Sequence, residues 1–251
     1  MRYYKLRDDR GKLHLAVGVE PDILADLASV DPELNDVGIL ALTASLSNST
    51  IDVLTKIMLE SAMPNRYSLS QIVQDSKNGN GKLLLSRPFD PPEIWAAGVT
   101  YKSSEMERRR ESSTPDVYSK VYMAERPELF LKATAPRCAG PFEPVGIRGD
   151  SIWNVPEPEL ALLLYKGAII GYTVGNDMSS RSIEGENPLY LPQAKIYERS
   201  CAIGPCLATT DSIKDNRRLD IRATVSREGT IVFRGETNTS EMARTCEELA
   251  S

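Results

Sequence analysis

The alternation of apolar and polar positions divides the chain near residue 87. Upstream, KLHLAVG alternates as a short strand does, a helical tract follows around PDILADLASV, and another lies near STIDVLTKIMLESAM. The polar run DSKNGNGK, over 75–82, carries Asn and Gly at the density of a turn. KLLL then leads into RPFDPPEIWAAGVTY, where the adjacent Pro91 and Pro92 cannot continue a helix. Residues 1–87 read as a small α+β domain and residues 88–251 as a second, larger one, with no internal repeat in either.

Past the boundary the pattern is mostly that of strands. EIWAAGVTY predicts a strand ending in a turn, and ERPELFLKATA a strand that puts Phe130 and Lys132 on one face. Between them SSEMERRRES reads as a short polar helix, capped by Ser103 or Ser104, that packs weakly enough to serve as a mobile cover over a site. WNVPEPELALLL and GAIIGYTVGNDMS follow as consecutive strands joined near Lys166 and Gly167, and LDIRATVSREGTIVFRG as a hairpin turning at Glu228 and Gly229. The fold class expected is α+β, β-dominated. No βαβ order and no Rossmann or P-loop glycine pattern appears, so a nucleotide cofactor has no support.

Composition narrows the function classes. At 251 residues, 41% apolar and 26% charged, the chain is an ordinary globular one with room for a large core. A net charge of −5 gives no general attraction to nucleic acid or to an anionic membrane. The basic run Arg108-Arg109-Arg110 lies between Glu107 and Glu111, which suits a solvated helix face. No apolar run approaches the roughly 18–20 residues that span a bilayer, and the N-terminus is too polar for a signal peptide; a cytoplasmic protein is expected. Cys138, Cys201, Cys206 and Cys246 lack CxxC spacing and read as small buried residues rather than disulfides or zinc ligands. The one histidine, His14, falls in a strand-like stretch without evident catalytic duty.

Candidate chemistry centres on the acids of WNVPEPELALLL. Glu157 and Glu159 are two apart, so on a strand both face one side and repel unless a cation, a shared proton or water intervenes. Asp177, in VGNDMSSR at the end of the return strand, would bring a third carboxylate close. Three carboxylates with open positions suit Mg²⁺ or Mn²⁺, whereas zinc favours nitrogen or sulfur. The same residues also fit a plainer reading, with Glu-Pro-Glu as an exposed turn and Asp177 as a turn residue or helix cap.

ERPELFLKAT, WNVPEPELALLL and GYTVGNDMSSRSIEGENPLYLPQAKIY, in chain order, closely resemble the fumarylacetoacetate hydrolase superfamily. Within it the likeness is nearest to the 2-keto-3-deoxy-sugar-acid dehydratases and covers roughly residues 88–249. The resemblance implies a rolled mixed β-sheet flanked by short helices, in a homodimer or other homo-oligomer. It implies that Glu157, Glu159 and Asp177 hold one divalent metal, usually Mg²⁺, with Mn²⁺ or Ca²⁺ as alternatives. Lys195, in LPQAKIY, then matches a lysine that reaches the substrate's oxygens, Arg181 a residue that orients the acids and substrate, and Lys132 a lysine beside the metal.

Two departures shape the expected activity. Hydrolases and decarboxylases of the family carry a GxNYxxHxxE-like lid, but GVTYKSSEME has Ser104 at the histidine position and keeps only Glu107. That favours dehydration, which needs no water nucleophile. Family members also continue beyond GETNTSEMARTCEEL, so the chain, ending at Ser251, reads as shortened. The expectation is a Mg²⁺-dependent carbon–oxygen lyase that converts a 2-keto-3-deoxy sugar acid, a pentonate such as 2-keto-3-deoxy-arabinonate, to a 2,5-dioxo acid. Lys195, Glu107 and Lys132 are its candidate catalytic groups. The alternatives are hydrolysis or decarboxylation of an acylpyruvate-type diketo acid, and an inactive shortened member that binds metal or a partner.

Overall fold

The computed structural model describes residues 1–102, 106, 110 and 115–251. Glu107 and Ser104, with the helix expected around them, lie outside the described residues.

The amino-terminal part begins with β1 (Arg2–Asp8), β2 (Leu13–Glu20) and β3 (Ile23–Asp26). Helices α1 (Val37–Leu46) and α2 (Ile51–Ser61) follow, then β4 (Asn65–Ser68), α3 (Leu69–Asn78) and β5 (Leu83–Ser86). Of the helical tract expected around PDILADLASV, Ile23–Asp26 is a strand and Leu27–Ser29 a single 3-10 turn. A short apolar run is ambiguous in period, and Ile23–Asp26 gains two pairing partners, β2 and β4. The turn expected over 75–82 starts later, because α3 runs through Asn78 before Gly79 closes it in the left-handed region. Helix α1 was not apparent in the apolar pattern; Asp36 caps it by accepting from the Gly38 amide.

The rest of the chain is built mainly of strands: β6 (Ile94–Gly98), β7 (Glu128–Ala133), β8 (Cys138–Ala139), β9 (Asn154–Val155), β10 (Pro158–Tyr165), β11 (Ala168–Asp177), β12 (Ser179–Ser180), β13 (Cys201–Thr209), β14 (Asp220–Arg227) and β15 (Thr230–Asn238). Helices Pro115–Met123, Arg181–Glu186, Leu191–Lys195 and Cys246–Ala250 punctuate them. Both expected hairpins form, β10–β11 with Lys166 and Gly167 at positive φ and β14–β15 with Glu228 and Gly229 likewise.

One nine-stranded sheet runs β10-β11-β13-β1-β2-β3-β4, with β5 added on β1 and β8 on β13. Its described pairings are antiparallel except β8–β13. The sheet crosses the boundary near residue 87, since β1 pairs with β13 at Arg2–Tyr3 and with β5 from Lys5 onward. Alternation along β1 and β2 feeds two cores: Tyr3, Leu15 and Val17 pack with α1 and α2, while Tyr4, Leu6 and Ala16 pack with Ile72 of α3. This doubly covered part of the sheet is continuous with β13, β11 and β10, and Glu159 in β10 and Asp177 at the end of β11 stand on its extension.

Candidate active site

Backbone pairing brings the acids of the two neighbouring strands together. In the β10–β11 hairpin Pro158 is opposite Asn176, and the Asp177 amide donates to the Glu157 carbonyl at 2.9 Å. Glu157, just before β10, and Glu159, within it, line the same cavity, and Asp177 is drawn up beside Glu157. The chain then passes through Ser179 in β12 into helix Arg181–Glu186, whose amino end Ser180 caps by accepting from the Ile183 amide. It returns through helix Leu191–Lys195, which ends on Lys195.

Lys195 is the hub. Its Nζ donates to Glu157 Oε2 at 2.8 Å, to Asp177 Oδ2 at 2.9 Å and to Ser179 Oγ at 2.6 Å. The residue is buried, and the Phe130 ring centroid lies 5.7 Å from the same nitrogen. Burial works against its charge, but the Glu157, Asp177 and Glu184 carboxylates outweigh that and hold the ammonium well above the ordinary lysine range.

Lys132 comes from β7 on the other side. Its Nζ pairs with Asp177 Oδ1 at 2.6 Å and donates to the carbonyls of Met178 and Lys195. A cation bonded to the last carbonyl of helix Leu191–Lys195 fixes where that helix ends, and so where Lys195 points. For Lys132, burial prevails over Asp177 and pushes the ammonium below its usual range. Asp177 is pushed up, first by burial and then by Glu157, despite Lys195 and Lys132.

Arg181 reaches Glu157 from behind: Nη1 is 2.7 Å from Glu157 Oε1 and 2.7 Å from Glu184 Oε2. It is not part of the cavity wall, whereas Glu157, Glu159, Asp177, Lys132, Lys195 and Glu184 are. That cavity has a volume of about 650 Å³.

Five of the seven residues singled out in the sequence therefore meet in one network: Glu157, Asp177, Lys195, Lys132 and Arg181. Glu159 lines the same cavity without joining the Lys195 contacts described, and Glu107 lies outside the described residues. Among the described residues no three acidic, histidine or cysteine side chains converge as a ready metal cage. Instead the Lys195 ammonium joins Glu157 to Asp177, as a cation must when two acids are this close.

The donor chemistry nevertheless fits a hard divalent ion. The Lys195 nitrogen marks a point where two carboxylates and a hydroxyl already surround a positive charge within 2.9 Å. On the same cavity wall Asn176 Oδ1 is a buried oxygen with no hydrogen-bond partner, and Asp177 Oδ1 has the Lys132 ammonium beside it at 2.6 Å. Sequence reasoning missed Ser179 and Glu184. Ser179 carried a signal, since it lies two positions after Asp177 at the end of a strand; Glu184 carried one only as the fourth residue of a helix that starts at Arg181.

Comparison with known proteins shows the family. Residues 93–251 match the family model of the fumarylacetoacetate (FAA) hydrolase C-terminal region. A probable 2-keto-3-deoxyxylonate dehydratase of Haloferax volcanii is 49% identical over 226 residues, covering 90% of this chain and 74% of the relative. A 2-dehydro-3-deoxy-D-arabinonate dehydratase of Saccharolobus solfataricus is 42% identical over 225 residues, covering 82% of this chain and 74% of that protein. Among solved structures, 2-keto-3-deoxy-D-arabinonate dehydratase complexed with magnesium and 2,5-dioxopentanoate superposes with a TM-score of 0.80 at 33% identity, over 100% of this chain and 81% of the other.

Proposed function

Because the chain belongs to the fumarylacetoacetate hydrolase family, we propose that it is a lyase that dehydrates a 2-keto-3-deoxy sugar acid, a pentonate, to a 2,5-dioxo acid. What carries the reading is the meeting of Glu157, Asp177, Lys195 and Lys132 at one wall of a cavity with ample volume for a five-carbon acid. The 49% and 42% identities to pentonate dehydratases support the choice of substrate class.

Charge balance supports it as well. Lys132, Lys195 and Arg181 face Glu157, Asp177 and Glu184, with Glu159 as a further acid on the wall. The cluster carries one negative charge in excess, and a dication together with a singly charged 2-keto acid leaves it neutral. Glu157, Glu159 and Asp177 would hold that ion, Mg²⁺ for preference, which supplies Lewis-acid polarisation of the 2-keto group.

The remaining duties fall to the chain's own side chains. Arg181 fixes Glu157, and Lys132 fixes Asp177 and the end of the helix carrying Lys195. Lys195, whose ammonium group lies on the same cavity wall, would donate to the C4 hydroxyl as it departs as water. Removal of the C3 proton falls to Glu107, the lid glutamate that the family resemblance offers for proton transfer. Loss of that proton and of the hydroxide gives the unsaturated keto acid, which rearranges to the 2,5-dioxo product.

The test is direct. With Mg²⁺ and a 2-keto-3-deoxy-pentonate, the 2,5-dioxo acid accumulates, followed by its aldehyde. Turnover of an acylpyruvate to pyruvate, with the pentonate left untouched, would sink the dehydratase reading in favour of C–C hydrolysis.

A further inference from the structure

We propose that Cys138 and Cys201 form a peroxide-oxidisable dithiol in the floor of the cavity. In β13, Cys201 is the register partner of Asp177 on one side and of Cys138, in the parallel strand β8, on the other. Partners in neighbouring strands have Cα atoms about 4.8 Å apart. That falls inside the roughly 4.4–6.8 Å window that a disulfide spans without backbone movement. Being in register, the two side chains leave the sheet on the same face, and both thiols are free and buried. The two thiols lie near enough for each to shift the acidity of the other.

Access is what separates this pair from an inert buried one. Cys201 lines the cavity, so a molecule as small as hydrogen peroxide reaches its sulfur from the substrate side. The Cys201 sulfur takes one oxygen from the peroxide, becoming a sulfenic acid and releasing water. The Cys138 sulfur then attacks it, and a second water leaves as the S–S bond closes. Two electrons pass from the thiols to the peroxide, which ends as two waters. The bond ties β8 to β13 at the position paired with Asp177, so oxidation acts directly beneath the acids of the site.

The other two cysteines are internal controls. Cys206 is the more exposed and Cys246 is buried, and neither has a register partner that is a cysteine. The experiment treats the intact, folded chain with hydrogen peroxide, alkylates the remaining thiols, and maps peptides without reduction. A peptide joining Cys138 to Cys201, lighter by two hydrogens and restored by dithiothreitol, is expected before Cys206 is consumed. In Cys138→Ser a dimedone adduct is expected at Cys201 in place of the cross-link. Oxidation of Cys206 while Cys138 and Cys201 both stay alkylatable overturns the proposal. None of these readouts depends on turnover, so failure here and failure of the dehydratase reading are told apart.

Discussion

Two aspartates in this molecule each stand between two cations, and they respond in opposite directions. Asp90 pairs with Lys5 and Arg87; burial alone would raise its carboxyl, but the two cations outweigh burial and hold it below the usual range. Asp177 pairs with Lys195 and Lys132, yet burial and the nearby Glu157 carboxylate push it up. Lys5 and Lys195 look alike too, each a buried lysine bridging two acids. The difference is in the acids. Asp36 and Asp90 are partly exposed, and each has another duty, Asp36 capping α1 and Asp90 holding Arg87. Glu157 and Asp177 are crowded on adjacent strand ends, and Asp177 is buried beside the Glu157 charge. A buried lysine between carboxylates is thus no mark of a site; repulsion left in place is.

The sharpest way to break the comparison is to neutralise one acid of each cluster. Asp177→Asn is expected to fold, because it removes a charge that burial already disfavours, and to lose dehydratase turnover by on the order of a hundredfold or more. Full turnover in that variant would remove Asp177 from the chemistry. Calorimetric titration with Mg²⁺ is the companion measurement, and weaker binding than in the parent chain is expected.

The lysines come next. Lys5→Met and Lys195→Met each leave two acids without their shared cation, and each is expected to lose about 3–5 kcal/mol of stability in denaturant titrations. Mg²⁺ separates them. It should raise the thermal midpoint of Lys195→Met by more than it raises that of the parent or of Lys5→Met, because an ion can replace the missing ammonium only between Glu157 and Asp177. Equal shifts in all three chains would mean that no cation site overlaps the Lys195 nitrogen.

A smaller effect is expected from Ser179→Ala. The hydroxyl, fully buried, accepts from Lys195 and donates to the Asp177 carbonyl at 3.2 Å. Its removal should lower stability by about 1 kcal/mol and shift the pH profile of turnover while leaving KM nearly unchanged. A proportional change in KM alone would make Ser179 a substrate contact instead.

Much of this was legible in the sequence because it depends on local rules. The two-residue spacing predicts a shared side for Glu157 and Glu159, which line one cavity, the Lys166-Gly167 turn returns the chain, and the family resemblance points to Lys195, Lys132 and Arg181. What was illegible depends on pairing at a distance. Ile23–Asp26 is a strand because β2 and β4 flank it, and nothing within PDILADLASV announces that. The Lys5 cluster was missed for the same reason: Asp36 and Asp90 reach Lys5 only once α1 and the loop after β5 have docked. Likewise Cys138 and Cys201 look unrelated along the chain and become neighbours only through the parallel pairing of β8 with β13.

The smallest effect is also the one whose sign is most fixed. Asp90 is more than a third exposed at its side chain, so solvent screens its pairs and Asp90→Asn is expected to lower stability at neutral pH by no more than about 1 kcal/mol. Its folded carboxyl titrates below its unfolded value, so the folded state binds fewer protons in that interval. The stabilisation is therefore fully present above the unfolded carboxylate range and disappears as pH falls through the folded one. Denaturant midpoints of parent and Asp90→Asn should differ at pH 7 and converge on acidification. Asp177→Asn should give the opposite trend, because the raised carboxyl penalises the folded parent as pH climbs through the interval above the unfolded value. Parallel pH curves for the two variants would show that the aspartates share one environment, and the contrast drawn from their surroundings would then fail.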